Sequence, residues 1–157
     1  MAILKIVEDG DELLRKTSKP VTELNDKVFT LLDDMKETMA KANGVGLAAV
    51  QVGKLRRLIV INTGEEEVEL INPRMIRQSG EQEEIEGCLS CPGKWGITRR
   101  PMQVEVETLT RKGKTVKIRG EGLLAKAICH EMDHLDGKLF YDNAVRMLTP
   151  EELKEYD

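Results

Sequence analysis

Gly122-Leu-Leu-Ala-Lys-Ala-Ile-Cys-His-Glu-Met-Asp-His-Leu-Asp-Gly137 reads as a helix that begins near Gly122, ends near Leu135 and stops at Gly137 just past its C-terminus. Leu123, Leu124, Ala127, Ile128, Met132 and Leu135 are apolar on more than one side, so the helix belongs in the middle of the fold. The same segment holds both histidines of the 157-residue chain. His130 and His134 are four residues apart and lie one turn apart on one face, where both imidazoles can reach a single ion. Glu131 lies just round that face, where a carboxylate can act on a metal-bound water without joining the coordination sphere. The pattern points to a metal-dependent hydrolase.

Upstream of this helix the chain is strand-like. Met102 to Thr110 sets Val104 and Val106 against Glu105 and Glu107, one face buried and one wet. Lys112-Gly113 turns the chain into Thr115 to Arg119, where Val116 and Ile118 alternate with Lys117 and Arg119, and the pair reads as an antiparallel hairpin. Arg57 to Ile61 and Val68 to Ile71 are short β-rich runs around Thr63-Gly64. Thr22 to Asn43 reads as an amphipathic helix with Thr22 as N-cap and one stripe of Val28, Leu31, Leu32, Met35 and Met39. Thr149 to Asp157 reads as one or two helical turns opened by Thr149-Pro150-Glu151. The expected fold is α+β: antiparallel β-sheets packed around a central buried helix carrying the H-E-x-x-H motif, with an N-terminal amphipathic helix. No repeat or linker divides the chain, so residues 1–157 are expected to form one domain.

Aromatic residues are only 3% of the chain, so the core must rest on Leu, Ile, Val, Met and Ala. A net charge of -4 gives no reason to expect direct nucleic-acid binding, although Arg99-Arg100 and the turn from Arg111 to Lys114 are local basic spots. No apolar run approaches the roughly 18 residues that span a bilayer, and the opening Met-Ala-Ile-Leu-Lys-Ile-Val lacks signal-peptide features. A cytoplasmic protein without a membrane partner is expected. Three cysteines, an odd number, do not suggest a disulfide framework and read as buried thiols or metal ligands.

With two histidines only, a third protein ligand must be a cysteine or a carboxylate. Cys88 stands out because Glu86-Gly-Cys-Leu-Ser90 is turn-like and sets a thiol beside flexible backbone. Cys88 and Cys91, spaced C-x2-C, could instead join His130 and His134 in a closed structural zinc site. The stretch from Cys91 to His130 is much longer than the roughly 12 residues of a zinc finger, and an open site is favoured. A thioredoxin-like role for the same two cysteines is disfavoured, because no βαβ pattern surrounds them. Gly44-Val-Gly-Leu-Ala-Ala-Val-Gln51 allows close backbone approach, and the Gln51 amide could donate to a developing oxyanion.

These three segments, Gly44 to Gln51, Glu86 to Ser90 and His130 to Gly137, together resemble the peptide deformylase family, in its order and approximate spacing and over essentially the whole chain. The resemblance implies Cys88, His130 and His134 as metal ligands with water in the fourth position. Ferrous iron is the ion implied in the cell, with zinc, nickel or cobalt able to replace it. The implied reaction removes the formyl group from the N-terminal formylmethionine of new polypeptides and releases formate. Metal-bound hydroxide would attack, Glu131 would act as general base and then general acid, and the Gln51 amide with the Leu89 N–H would meet the oxyanion. The peptide would lie as an extended strand along Val45-Gly46 and Gly87, with methionine in an apolar pocket bordered by Leu123, Ala127 and the stem of Glu86.

The resemblance makes formylated nascent chains the partners and brings the protein transiently near the ribosome. The short acidic stretch Glu151 to Asp157 gives no basis for the ribosome contact that a longer C-terminal helix makes in some members. Cys91 stands where the family more often has an aliphatic residue, and reads either as a small buried hydrophobe or as an oxidative partner of Cys88. Trp95 stands where some members are basic and offers an apolar ledge. Asp133 is expected either to orient a ligand histidine or to pair with a basic residue.

Overall fold

The computed structural model describes residues 2–156, so Met1 of the opening stretch and Asp157 at the far end lie outside it. Helix α1 spans Asp26–Lys41 and starts on Asn25, whose side chain accepts the Val28 N–H at 3.1 Å. The cap is therefore Asn25 and not Thr22. Residues around Thr22 are held extended because Asn72 takes the Val21 N–H and returns its own amide to the Val21 carbonyl, each at 2.8 Å. The apolar stripe is as expected: Leu32, Met35 and Met39 are buried, and Val28 and Leu31 pack partly buried on the same cluster.

The strands are β1 (Gly46–Ala48), β2 (Leu58–Asn62), β3 (Glu67–Ser79), β4 (Gln82–Glu86), β5 (Gly96–Arg100), β6 (Gln103–Leu109), β7 (Thr115–Glu121) and β8 (Arg146–Met147). They form a five-stranded sheet in the order β1-β2-β3-β6-β7 and a three-stranded sheet in the order β4-β5-β8, with antiparallel pairing throughout. Helix α2, Leu123–Leu135, packs on one face of the larger sheet and α1 on the other. Strand β2 shows why its sequence lacks polar alternation. Leu58 and Val60 join the cluster under α1, Ile59 and Ile61 join the cluster under α2, and all four are fully buried.

The β6–β7 hairpin forms as the alternation indicates, with one correction. Glu105 was expected on the wet face, yet it is buried on β6 between β3 and β7, and it pairs with Arg119 directly across the hairpin at an Nε–Oε2 distance of 3.0 Å. The smaller sheet is absent from the sequence reading. Its β4 is a run of carboxylates, and partners on β5 supply what its composition lacks: Glu83 sits opposite Arg99, and Arg100 reaches Glu86.

The stretch of residues 7–9 crosses both turns that face α2. The Val7 N–H donates to the Gln51 carbonyl and the Asp9 N–H to the Ser90 carbonyl, each at 2.7 Å. At the other end Thr149 caps a short helix α3, Pro150–Leu153, in a reciprocal bond with Glu152. No helix among the described residues is long and apolar enough to cross a membrane.

Helix α2 ends as its glycine indicates. Gly137 has φ +75°, and a Cβ there would lie 2.5 Å from the Arg15 carbonyl oxygen. Gly137→Ala should therefore cost about 1–3 kcal/mol, seen as a fall in the thermal unfolding midpoint of about 2–4 °C for each kcal/mol. An unchanged midpoint would show that this turn carries no such constraint.

Candidate metal centre

Two elements deliver the donors. Helix α2 presents His130 and His134 from one face, with ring centroids 5.0 Å apart. Strand β4 ends at Glu86, and the chain bends through Gly87 to bring Cys88 over the helix, with its Sγ 3.3 Å from His134 Nε2. One ligand atom from each of Cys88, His130 and His134 lies within 4.8 Å of the others. A thiol and two imidazoles converging in a buried site suit a divalent transition-metal ion. Cys91 is not part of this cluster; it is buried and packs in the core around α2.

Glu86 orients the first histidine. His130 Nδ1 hydrogen-bonds Glu86 Oε2, which leaves Nε2 for the cluster. The same carboxylate takes Arg100 Nη2 at 2.7 Å, Arg100 Nε at 3.2 Å and the Thr98 hydroxyl at 2.8 Å. Arg100 Nη1 continues to Asp133 at 2.7 Å, so Asp133 pairs with a basic residue, the second of the two roles open to it. Burial alone would raise the Glu86 carboxyl, but the bonds from His130 and Arg100 outweigh it and hold it below the usual carboxylate range. Such an anchor fixes the ring and its tautomer. Arg100 is thus committed inward. Arg111 is likewise paired, with Glu69 and Asp33. Of the two basic spots, the first is thus neutralised by Glu83, Glu86 and Asp133, whereas the second still presents Lys112 and Lys114 to solvent.

The remaining groups are held toward the same space. Gln51 sits in the turn Ala49–Val52, and its Oε1 accepts the Ala48 N–H at 2.9 Å. That bond points the amide hydrogens outward, toward Ser90 Oγ at 3.1 Å and Cys88 Sγ at 3.6 Å. Glu131 is 3% exposed, and its Oε1 has no hydrogen-bond partner among the described residues. Burial, only partly opposed by His130, pushes its carboxyl up to about 7. His130 is raised: burial opposes its charge, but Glu131 and Glu86 outweigh that. Burial and then His130 push His134 well down. The Cys88 thiol is pushed up, first by Cys91 and then by burial, a direction that a bound cation reverses.

A buried carboxylate oxygen left unpaired costs about 1–3 kcal/mol, so its retention beside three converging donors supports the fit to an ion and a water-sized reactant. Gly46 is required there, because a Cβ on it would lie 2.7 Å from Glu131 Oε2.

Of the residues expected to act in catalysis, ion binding or substrate binding, all but His134 border one cavity of about 440 Å³; His134 lies fully buried beneath it. Val45 and Leu123 stand exposed at its rim, Ala127 is buried in its wall, and Leu89 and Gly87 line the side opposite α2. Glu86 borders it too, although its carboxylate is turned into the His130 network. Trp95, 42% exposed, forms part of the rim. The sequence reading did not find Arg100, Thr98 or Ser90. Their only signal was position: Ser90 in the Cys88 turn, and Thr98 and Arg100 at alternate residues of one strand.

The profile of the family described as polypeptide deformylase matches residues 3–149. A peptide deformylase of Acetivibrio thermocellus is 54% identical over 154 residues, covering 98% of this chain and 91% of that relative. The crystal structure of a peptide deformylase from Legionella pneumophila superposes with a TM-score of 0.87 at 43% identity, over 98% of this chain and 95% of that one. A class I type b peptide deformylase from Acinetobacter baumannii, solved bound to Met-Ala-Ser, superposes with a TM-score of 0.85 at 32% identity, over 90% of this chain and 98% of that one. The molecule is therefore an enzyme. The chain belongs to the polypeptide deformylase family.

Proposed function

We propose that this chain removes the formyl group from the N-terminal formylmethionine of newly made polypeptides and releases formate, with residues 1–157 acting as one catalytic domain. The observation that carries the reading is a buried Glu131 carboxylate, its Oε1 without a hydrogen-bond partner among the described residues, beside a thiol and two imidazoles at the floor of one cavity. Cys88, His130 and His134 would hold a divalent ion, ferrous iron in the cell, with zinc, nickel or cobalt as substitutes. When bound, that ion polarises the formyl oxygen and lowers the pKa of water.

The chain's own groups do the rest. Glu131 takes a proton from the attacking water and returns it to the departing amine. Gln51, its amide fixed by the Ala48 N–H, and the Leu89 N–H donate to the oxygen that gains charge. β1 and β4 are outer strands of their two sheets and flank the cavity, so an extended peptide can lie along Val45-Gly46 and Gly87. Leu123, Ala127 and the stem of Glu86 then receive the methionine side chain. The Met-Ala-Ser held by the Acinetobacter baumannii relative is a peptide of the kind that deformylation would leave. The reaction takes place in the cytoplasm on chains leaving the ribosome.

Protein loaded with iron under anaerobic, reducing conditions should release formate from a formyl-Met peptide. A metal-replete, reduced sample without formate release overturns the reading. Gln51→Ala should lower kcat by about 10²–10³ with the ion retained, the usual effect of removing one oxyanion donor.

A further inference from the structure

Cys88 belongs to a pair, and the ion-binding cluster uses only half of it. The Cys91 N–H donates to the Cys88 carbonyl at 2.9 Å, which closes a four-residue turn with Leu89 and Ser90 at its centre. Such a turn keeps its first and last Cα atoms within about 7 Å, and a disulfide spans roughly 4.4–6.8 Å between Cα atoms. Both cysteines are free thiols and both border the cavity. The third cysteine, Cys129, is buried on α2 and is not among the residues that line the cavity.

We propose that Cys88 and Cys91 form a peroxide-sensitive modification site, in which hydrogen peroxide entering the cavity joins them in a disulfide and so withdraws the Cys88 thiolate from the three-residue cluster. The bond itself follows from the turn; its effect on the ion rests on the reading of Cys88 as a ligand. In the first step a thiol sulfur attacks one peroxide oxygen, the O–O bond breaks, and water leaves with the thiol proton, giving a sulfenic acid. In the second the other sulfur attacks the sulfenyl sulfur, the S–O bond breaks, and a second water leaves. Two thiols are oxidised and one peroxide is reduced to two waters.

The second cysteine changes the fate of the first. An isolated ligand thiol would continue past the sulfenic acid to sulfinic and sulfonic acids, which thiols do not reverse. A partner three residues away captures the sulfenic acid as a disulfide, which thiol exchange reopens. A cavity of about 440 Å³ admits peroxide readily.

The test exposes metal-stripped and metal-loaded protein to hydrogen peroxide. It follows the mass of the tryptic peptide spanning residues 78–94, which contains both cysteines and excludes Cys129, and the ion released to a colorimetric chelator. The expected result is loss of two hydrogens from that peptide, stoichiometric release of the ion, and recovery of both dithiol and ion binding after dithiothreitol. In Cys91→Ser the same peptide should gain oxygen instead, and after excess peroxide dithiothreitol should not restore it. Gain of oxygen by the unaltered peptide, or a disulfide that involves Cys129, overturns the proposal without needing the variant. If the disulfide forms while the ion stays bound, the modification stands and the assignment of Cys88 as an ion ligand falls.

Discussion

Glu131→Gln should leave the chain folded and loaded with its ion, and should lower turnover by at least about 10²–10⁴. Glutamine keeps the volume and shape of the side chain in a place with little room, beside Gly46 and almost out of solvent. What it loses is the ability to take a proton. Both proton transfers proposed for the reaction pass through this carboxylate, so its removal weakens both. Ion content measured on the same sample separates catalysis from binding, since Glu131 lies outside the three-donor cluster. A variant that holds its ion and retains kcat within about tenfold of the parent would remove Glu131 from the mechanism, because a positioned base contributes more than that.

Arg100→Ala is the corresponding test of the scaffold. Arg100 and Glu86 are 8% and 3% exposed, and the guanidinium gives Glu86 two of its hydrogen bonds. Removing one partner of a buried pair costs about 3–5 kcal/mol, because the other charge is left without compensation. The thermal midpoint should fall by roughly 6–20 °C, at about 2–4 °C for each kcal/mol. Ion affinity should fall by about 10–100-fold, since the carboxylate that steadies His130 loses its own anchor. Arg74→Ala is the control. Its contact with Glu107 is 2.9 Å, yet the arginine side chain is 67% exposed, and such surface pairs contribute about 0–1 kcal/mol. Equal losses in the two variants would show that the interior network does not hold the site.

The contrast between these two arginines marks where the sequence can be read and where it cannot. Helix α2, its buried setting and its glycine stop follow from local pattern, as does the apolar stripe of α1. The residues carrying donor chemistry were legible because few residue types can do that work: two histidines at helical spacing, and Cys88 in a turn. Strand β4 was not legible, because three glutamates in five residues show none of the apolar alternation that marks a strand. Only the pairing with Arg99 and Arg100 across the ladder makes them a strand. The place of Glu86 was hidden for the same reason. It was read as an apolar stem beside the pocket, whereas its carboxylate meets His130, a residue far away in sequence. Glu105 failed in the same sense, since its ion-pair partner sits on the neighbouring strand. The N-cap of α1 shifted from Thr22 to Asn25 because Asn72 claims the backbone nearby. Each miss is a contact made across the fold by a side chain whose own neighbours in sequence say nothing of it.

Residues 7–9 hydrogen-bond the backbone of Gln51 and of Ser90, joining two turns that otherwise meet only through side chains. Early in the chain, this stretch acts as a clasp on parts that are synthesised much later. The turn of Gln51 and the turn of Cys88 are thereby tied to one short segment, so the 3.1 Å from the Gln51 amide to Ser90 Oγ is held from the main chain as well as from the side chains.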